Sequence, residues 1–418
     1  MQIRISKNVL FQILFAICVA VPYLNNYELT FLVWGFTVVL TIQRKYSLNL
    51  LKQVLLFGSI IIIAFFSSFF NDFIAYNFIR DFTYLAKPIL GLLIGYQLCK
   101  SKIKNPLETA VYVGIILAIT HLIIVSYGIV FVGFRNIHQI RTFAGYFSDY
   151  EIYVIILLIF SNEFNLTISR NRKIFFITIL IFSSIFYLSR TNFIQFGILF
   201  LALKGFFIFD KRKIIALLSV IFTGLILYSA IFYYNPKRNG KGIEAFLYKV
   251  KIAPTEPFKT KINADDYKDF NDNYRSVENI NTISQMKNEG FYTLLFGKGL
   301  GSKVDLKKDV WLDNTQMRFI SILHNGFMTV FLKSGIIGVF ILIGTILLTF
   351  RKQKNNYLLQ SAINKLLFGT ALFLFISYWV FMGFYFKADT KAILIGLLLA
   401  YSERLSKENL ITDSSKQL

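Results

Sequence analysis

The sequence predicts an all-α integral membrane protein with about 12 transmembrane helices, both termini in the cytoplasm and one large extracytoplasmic loop before the last helices. Of its 418 residues, 55% are hydrophobic, 46 are Phe, and only 16% carry a charge. Apolar runs also recur along the whole chain, and about 20 apolar residues are enough to cross the roughly 30 Å hydrocarbon core of a bilayer. This composition and patterning exclude an ordinary soluble globular class.

Twelve apolar runs define the predicted helices. They lie near residues 8–24, 28–42, 53–70, 82–98, 107–131, 147–161, 173–188, 192–209, 213–234, 319–350, 364–384 and 389–403. The predicted domains are residues 1–234 with helices one to nine, an extracytoplasmic loop domain at 235–317, residues 318–403 with a surface helix and helices ten to twelve, and a cytoplasmic tail at 404–418. The first run lacks a small-residue cleavage site, which predicts a retained helix and not a signal peptide.

The basic residues set the predicted orientation. The net charge is +22, but lysines and arginines are clustered on alternate loops, among them 43–52, 162–173 and 351–363, and do not form one basic face. This distribution follows the positive-inside rule and gives no indication of nucleic-acid binding. Cys18 and Cys99 are far apart in this topology, so they predict neither a disulfide nor a metal site.

Several basic residues break this rule, because they fall in short outer loops or at outer helix ends. These residues are Arg80, Lys87, Arg135, Arg141 and Arg190. One explanation is that each side chain reaches lipid headgroups. The other is an anion site on the outer face, since guanidinium groups bind phosphate through paired hydrogen bonds. Arg275 and Arg318, from the loop domain and its re-entry point, would close such a site from above.

Two further sets of titratable residues have ordinary interpretations beside functional ones. His121 lies in a spanning run, where an ionisable group is a functional candidate, but the sequence favours a neutral imidazole bonded to a neighbouring helix. The segment ADDYKDFND, residues 264–272, carries four aspartates at spacings that a divalent ion could use, or that form a solvated surface. No residue pattern requires a metal or another cofactor.

The segment HNGFMTVFLKSGIIG, residues 324–338, is the most informative motif. A helix from Arg318 to Lys333 would put Ser321, His324 and Asn325 on one face. The apolar run continues to residue 350, which is about 48 Å of helix and too long for one straight span. The sequence therefore predicts a short helix at the outer surface, a break at Gly335, and then a spanning helix.

This motif resembles the histidine motif of the O-antigen ligase and polymerase superfamily: His324 and Asn325, nine residues, Gly335, two residues, and Gly338. The turn Ser189-Arg190-Thr191 is similar to the arginine-bearing turn of that family. Arg275, about twenty residues before FGKGLGS, is similar to its outer-loop arginine. The resemblance covers the whole chain in architecture but only about 30 residues in motif.

The resemblance implies transfer of a glycan from an undecaprenyl diphosphate carrier, with inversion, at the outer face of the bacterial cytoplasmic membrane. His324 would act as the base, Arg190 and Arg275 would neutralise the diphosphate, and Asn325 would orient the imidazole or the acceptor. The substrate would be a carrier-linked oligosaccharide of an O-antigen, capsule or exopolysaccharide, in contact with membrane lipid. A chain-length regulator and a flippase are the expected protein partners.

Three functions remain open at this point. A polymerase passes the chain to another carrier-linked unit, and the arginine-led segment that ends in FGKGLGS favours this assignment. An O-antigen ligase passes it to a lipid core or a protein. A polysaccharide or lipid transporter would also use 12 helices, but transporters commonly have internal repeats, which the sequence lacks.

Overall fold

The structure is a computed structural model that describes residues 6–71, 74–101, 103–145, 148–208, 211–240, 242–263, 265–312, 315–353 and 357–415. Residues 354–356 of the predicted cytoplasmic loop and 416–418 of the predicted tail lie outside the described residues. So do residues 241, 264, 313 and 314 of the predicted loop domain.

Helices account for most of the described chain. They are α1 (Lys7–Ala20), α2 (Tyr27–Leu40), α3 (Leu48–Ser68), α4 (Ala75–Lys100), α5 (Pro106–Val130), α6 (Ile137–Ala144), α7 (Asp149–Ile159), α8 (Arg170–Tyr187), α9 (Arg190–Leu203), α10 (Lys211–Tyr234), α11 (Ile243–Ile252), α12 (Tyr267–Asp272), α13 (Tyr274–Asn288), α14 (Phe291–Phe296), α15 (Gly326–Thr349), α16 (Leu358–Val380) and α17 (Lys391–Ser415). Short 3-10 turns occupy Val21–Leu24, Glu256–Phe258 and Gly383–Tyr385. The strands are β1 (Val304–Leu312) and β2 (Thr315–Ile320).

The chain is a multi-pass, membrane-embedded protein. Within the described residues, six helical segments are long and apolar enough to cross a membrane: Lys7–Leu24, Leu48–Ser68, Ala75–Lys100, Pro106–Val130, Gly326–Thr349 and Leu358–Val380. Tyr27–Leu40, Arg190–Leu203 and Leu218–Tyr234 are shorter apolar helices. Each of the 12 predicted apolar runs contains a helix, but the number of 12 spans stays a prediction.

Small residues allow the central helices to pack closely. Helices α4 and α17 meet at Gly95 and Gly396. A Cβ atom on Gly95 would lie 1.9 Å from the Ile393 carbonyl oxygen, and one on Gly396 would lie 2.1 Å from the Leu92 carbonyl oxygen. Backbone contact of this kind is typical of helix pairs in membranes, where apolar area alone gives little driving force for association.

The loop domain is not wholly helical, which corrects the all-α prediction in this region. Strands β1 and β2 form an antiparallel hairpin in which Val304 pairs with Ile320. The predicted surface helix is wrong over its first part, because Arg318 lies in β2 and α15 begins only at Gly326. Strand pairing there buries Val304 and Ile320 in an apolar cluster with α13, and a helix through 318–325 would lose those ladder hydrogen bonds.

The predicted helix break is confirmed. Within α15, Gly335 has φ 65° and ψ −166°, and the residues on either side are helical. At the other end of the chain, α17 continues beyond the predicted end at 403 to Ser415. The added turns contain charged residues that favour helices, and Arg404 pairs with Glu408 one turn later at 3.6 Å.

Candidate functional site

His324 is held by a buried carboxylate that the sequence analysis did not identify. The Nδ1 atom of His324 lies 2.9 Å from Oε1 of Glu278, and the backbone N–H of His324 donates to Oε2 at 2.9 Å. The Tyr274 ring packs edge-on against the imidazole, with ring centroids 5.5 Å apart. An ionised carboxylate only accepts hydrogen bonds, so it selects the tautomer with the proton on Nδ1 and leaves the lone pair on Nε2.

The environment of His324 suits a general base. Its side chain is 34% exposed, whereas that of Glu278 is 1% exposed. Burial favours the neutral imidazole, but the charge and hydrogen bond of Glu278 outweigh burial and raise the pKa of His324 above its ordinary value. A histidine with a raised pKa accepts a proton readily, and Glu278 stabilises the imidazolium that forms.

A group of cationic side chains reaches this pair through Arg275, whose charge acts on His324. Arg190, at the start of α9, donates to the Lys249 carbonyl oxygen at 2.5 Å, and its charge interacts with Arg275 and Arg141. Lys249 interacts with the same group of charges. The structure therefore brings together three predicted arginines from α6, α9 and α13, and adds a lysine from α11.

A second carboxylate lies within the cationic group. Oε2 of Glu256 is 3.3 Å from a guanidinium nitrogen of Arg275, and the Ser276 hydroxyl donates to the Glu256 backbone carbonyl. Glu256 also interacts electrostatically with Arg190 and with His324. The Glu256 carboxylate therefore offsets one charge of the four cations, which leaves a net positive site next to the base.

A cavity of about 1050 Å³ lies next to the segment that carries His324. Residues 317–322 form one wall, and α5 and α6 contribute apolar side chains to another. Four cationic side chains from separate parts of the chain line it: Arg80, Lys303, Arg318 and Lys387. The cavity is large enough for several sugar rings or for the head of a large amphiphile.

The other predicted binding residues occupy different surroundings. Arg318 forms a paired contact with Asp305 at 2.7 and 2.9 Å within the hairpin, and Arg80 contacts Asp81 at 3.2 Å. Both arginines line the cavity. Among the described residues, neither contacts the cationic group around Arg190. Arg135 is exposed on the loop before α6.

Lys87 does not fit the predicted role in substrate binding. Its side chain is buried, and its ammonium donates to the carbonyl oxygens of Phe386 and Lys387 at 2.5 and 2.6 Å. A lysine whose charge is satisfied by two backbone carbonyls inside the helix bundle has a structural role. The charged groups that influence it are Asp389, Lys391 and Asp149, which form another buried network.

Asn325 is a helix cap in this structure. Its side-chain oxygen accepts from the Met328 backbone N–H at 3.2 Å, at the start of α15, and the residue is 1% exposed. An asparagine at this position satisfies one of the backbone donors that the first turn leaves open. Asn325 therefore fixes the start of α15 directly after His324, and the predicted contact with substrate stays a prediction.

Sequence reasoning missed three members of the site: Glu278, Glu256 and Lys249. Glu278 offered a weak signal, because it follows Arg275 by three residues and so lies on the same face of α13. Glu256 and Lys249 offered none, since their role depends on how the loop domain folds over α9.

The fold and the site together define a membrane-embedded helical protein with a carboxylate-bound histidine beside a cationic cluster. In comparisons with known proteins, no family model, no curated protein and no solved structure matches the chain. The similarity to the O-antigen ligase and polymerase superfamily therefore rests on the sequence motifs and the predicted architecture, with no support from these comparisons.

Proposed function

We propose that the protein is a polymerase of a bacterial surface polysaccharide that uses a polyprenyl-diphosphate-linked donor. The observation that carries this proposal is the group of Arg141, Arg190, Lys249 and Arg275, which reaches the His324–Glu278 pair through Arg275. A cationic cluster suits a diphosphate, and a carboxylate-bound imidazole next to it suits deprotonation of a hydroxyl. The histidine motif and the arginine-bearing turn support the same assignment.

The proposed reaction is a single displacement. The acceptor hydroxyl attacks the anomeric carbon, its oxygen forms the new glycosidic bond, and its proton passes to Nε2 of His324. The bond between the anomeric carbon and the diphosphate oxygen breaks on the opposite face, which inverts the configuration. Arg190 and Arg275 neutralise the charge that develops on the departing diphosphate, and Glu278 stabilises the imidazolium.

The proposed orientation puts this site on the outer face of the cytoplasmic membrane. Loops that the positive-inside rule assigns to the cytoplasm contact one another at one end of the bundle, which supports a common side. Gln43 donates to the Ser101 hydroxyl at 2.6 Å, and Arg404 donates to the Lys104 carbonyl oxygen at 3.3 Å. The lysine and arginine clusters then argue that this side is cytoplasmic.

Cysteine labelling tests the orientation. The two native cysteines are buried and are replaced by alanine. Thr260→Cys in the loop domain and Asn171→Cys in a predicted cytoplasmic loop are both at exposed positions. We expect an impermeant maleimide to label Thr260→Cys in intact spheroplasts and Asn171→Cys only after lysis; the reverse pattern would reject the orientation.

The reaction is tested with purified protein and a synthetic undecaprenyl-diphosphate repeat unit. We expect a ladder of products in the presence of chelator. If the protein transfers the repeat unit to a lipid core or protein acceptor and makes no ladder, it is a ligase. If it binds the carrier-linked unit but forms no new glycosidic bond with any of these acceptors, the enzymatic proposal fails.

A further inference from the structure

The break in α15 holds a segment of the loop domain. Because Gly335 is not helical, the carbonyl groups of the preceding turn lose their usual partners along the helix. The Leu332 carbonyl instead accepts from the Lys298 backbone N–H at 2.8 Å, and the Lys333 carbonyl accepts from the Gly299 backbone N–H at 3.0 Å. The glycine loop, residues 297–302, therefore completes the hydrogen bonding of the broken helix.

Glycine is required where the two backbones meet. A Cβ atom on Gly335 would lie 2.2 Å from the Leu295 carbonyl oxygen, and one on Gly297 would lie 2.4 Å from the Lys333 carbonyl carbon. Both residues also have positive φ, at 65° and 83°. The motif glycine and the first glycine of FGKGLGS thus serve the same contact from its two sides.

A buried ion pair adjoins the contact between the glycine loop and α15. The Lys333 ammonium is 2.5 Å from Oδ2 of Asp81 and 2.5 Å from the Ser302 carbonyl oxygen. The same carboxylate oxygen accepts from the Gly301 backbone N–H at 2.8 Å. Lys333 and Asp81 are each 1% exposed, so neither charge has water as an alternative partner.

The glycine loop connects the two elements that carry His324 and Glu278. It follows α13 and α14 in the chain and leads into the hairpin before His324. Val277, Leu323 and Leu332, the neighbours of Glu278, His324 and Lys333 in sequence, pack in one apolar cluster. A shift of the glycine loop at the helix break would therefore move α13 relative to the start of α15.

We propose that Lys333 and Asp81 are positioning residues that clamp the glycine loop in the break of α15 and so hold Glu278 against His324. Lys333 itself contacts Asp81 and Ser302, and it acts on the site through the loop. The consequence for catalysis rests on the proposed function, but the clamp can be measured without substrate.

The measurement is the titration of His324 by NMR in protein with isotope-labelled histidine. The chain contains three histidines, and His324→Gln identifies the signal. Charged or titratable groups that act on His324 are Glu278, Arg275 and Tyr274 on α13 and Glu256 on the preceding 3-10 turn. Loss of the Glu278 contact therefore lowers the pKa of His324, because burial remains while the main favourable charge is gone.

Two variants remove the clamp. Lys333→Met removes the buried partner of Asp81 and leaves that carboxylate with Arg80, 3.2 Å away, as its cation. Because this change can prevent folding, the decisive variant is Asp81→Leu/Lys333→Met, which removes both buried charges and retains apolar volume. Lys298→Met is the matched control, since it lies in the same loop but its ammonium pairs with Glu289. We expect the double variant to lower the pKa of His324 and the control to leave it at the wild-type value.

For the double variant we also expect turnover to fall by about 10-fold to 100-fold, since small misplacements of catalytic groups have effects of this size. The Michaelis constant for the donor should stay near the wild-type value. In a Glu278→Gln background the double variant should cause no further change in the titration of His324. A monodisperse double variant with a wild-type titration of His324 overturns the clamp, whereas absence of glycan transfer by the wild type would overturn only the proposed function.

Discussion

Two histidines in this protein illustrate how surroundings decide the chemistry of the same side chain. His121 is 4% exposed, its Nδ1 atom lies 2.8 Å from the Ser183 hydroxyl on α8, and its ring stacks on Tyr187 at 3.8 Å. His324 is partly exposed, contacts Glu278, and is acted on by Arg275, one member of the cationic group. His121 is held by neutral partners within the helix bundle, as predicted, and His324 is placed where a proton can be accepted and a negative charge bound.

The largest expected effect separates the two histidines directly. His324→Ala should lower the transfer rate by about 10² to 10⁴, the usual contribution of a general base, while donor binding persists because the cations hold the diphosphate. His121→Asn, which retains a hydrogen-bonding side chain near Ser183, should keep most of the activity. Ladder formation by purified, monodisperse proteins checks both, and comparable losses in the two variants would remove the distinction between the histidines.

The next effect concerns Arg190 and Arg275, two members of the cationic group that reaches His324. Arg190→Lys and Arg275→Lys should each lower turnover by about 10² or more, because a lysine cannot reproduce the paired donors that stabilise a diphosphate leaving group. Arg238→Lys is the matched control, since Arg238 already pairs with Asp272 at 2.6 Å and has no assigned role in the site. Near-normal rates for Arg190→Lys and Arg275→Lys would instead assign these arginines to lipid headgroups.

The third effect is a shift in pH dependence. His324 must be neutral to act as a base, so wild-type activity should fall as pH decreases through its raised pKa. In Glu278→Gln the burial remains and the carboxylate charge is lost, so the acidic limb of the rate profile should move to lower pH. A rate profile between pH 5 and 9 measures the shift, and an unchanged limb would show that Glu278 does not control His324.

The contact between His324 and Glu278 also predicts how the stability of the protein changes with pH. The direction is opposite to that of a carboxylate whose pKa is lowered on folding. Because the folded pKa of His324 is raised, its pairing with Glu278 stabilises the protein below the unfolded pKa near 6.5, and this contribution is lost as pH rises through the folded pKa. Thermal unfolding of the wild type should therefore show this loss with increasing pH. The loss should be absent in Glu278→Gln, and its persistence there would assign it to another group.

The smallest expected effect concerns Asn325. This residue caps the start of α15 directly after His324, whereas His121 lies in the middle of a helix. Asn325→Ala should lower the free energy of unfolding by about 1 kcal/mol through loss of the cap. Asn325→Asp retains the capping oxygen and should cost less. Thermal unfolding in detergent measures both, and a larger loss of activity than of stability would show that Asn325 also contacts substrate.

The predictable part of this molecule was the part governed by local patterning. Helix positions, the break at Gly335 and the short turn before Arg190 followed from apolar run length, glycine and charge. The hairpin at 304–320 was missed, because its last two residues, Phe319 and Ile320, begin the apolar run that continues into α15. Lys87 was misassigned for a related reason: its partners, Phe386 and Lys387, are about 300 residues away in the chain.

The sequence by itself determined a membrane-embedded helical chain with a histidine motif and an excess of basic residues, since hydropathy and charge act through composition and neighbours in the chain. Only the tertiary structure decided which of the basic residues form a cluster, that Glu278 binds His324, and that the glycine loop enters the break of α15. The glycine loop and α15 are joined by hydrogen bonds between residues 34 positions apart, Glu278 and His324 are 46 apart, and Asp81 and Lys333 are 252 apart. A pair so distant in the chain meets only when the surrounding helices pack, and the free energy of that packing is not encoded in any single segment.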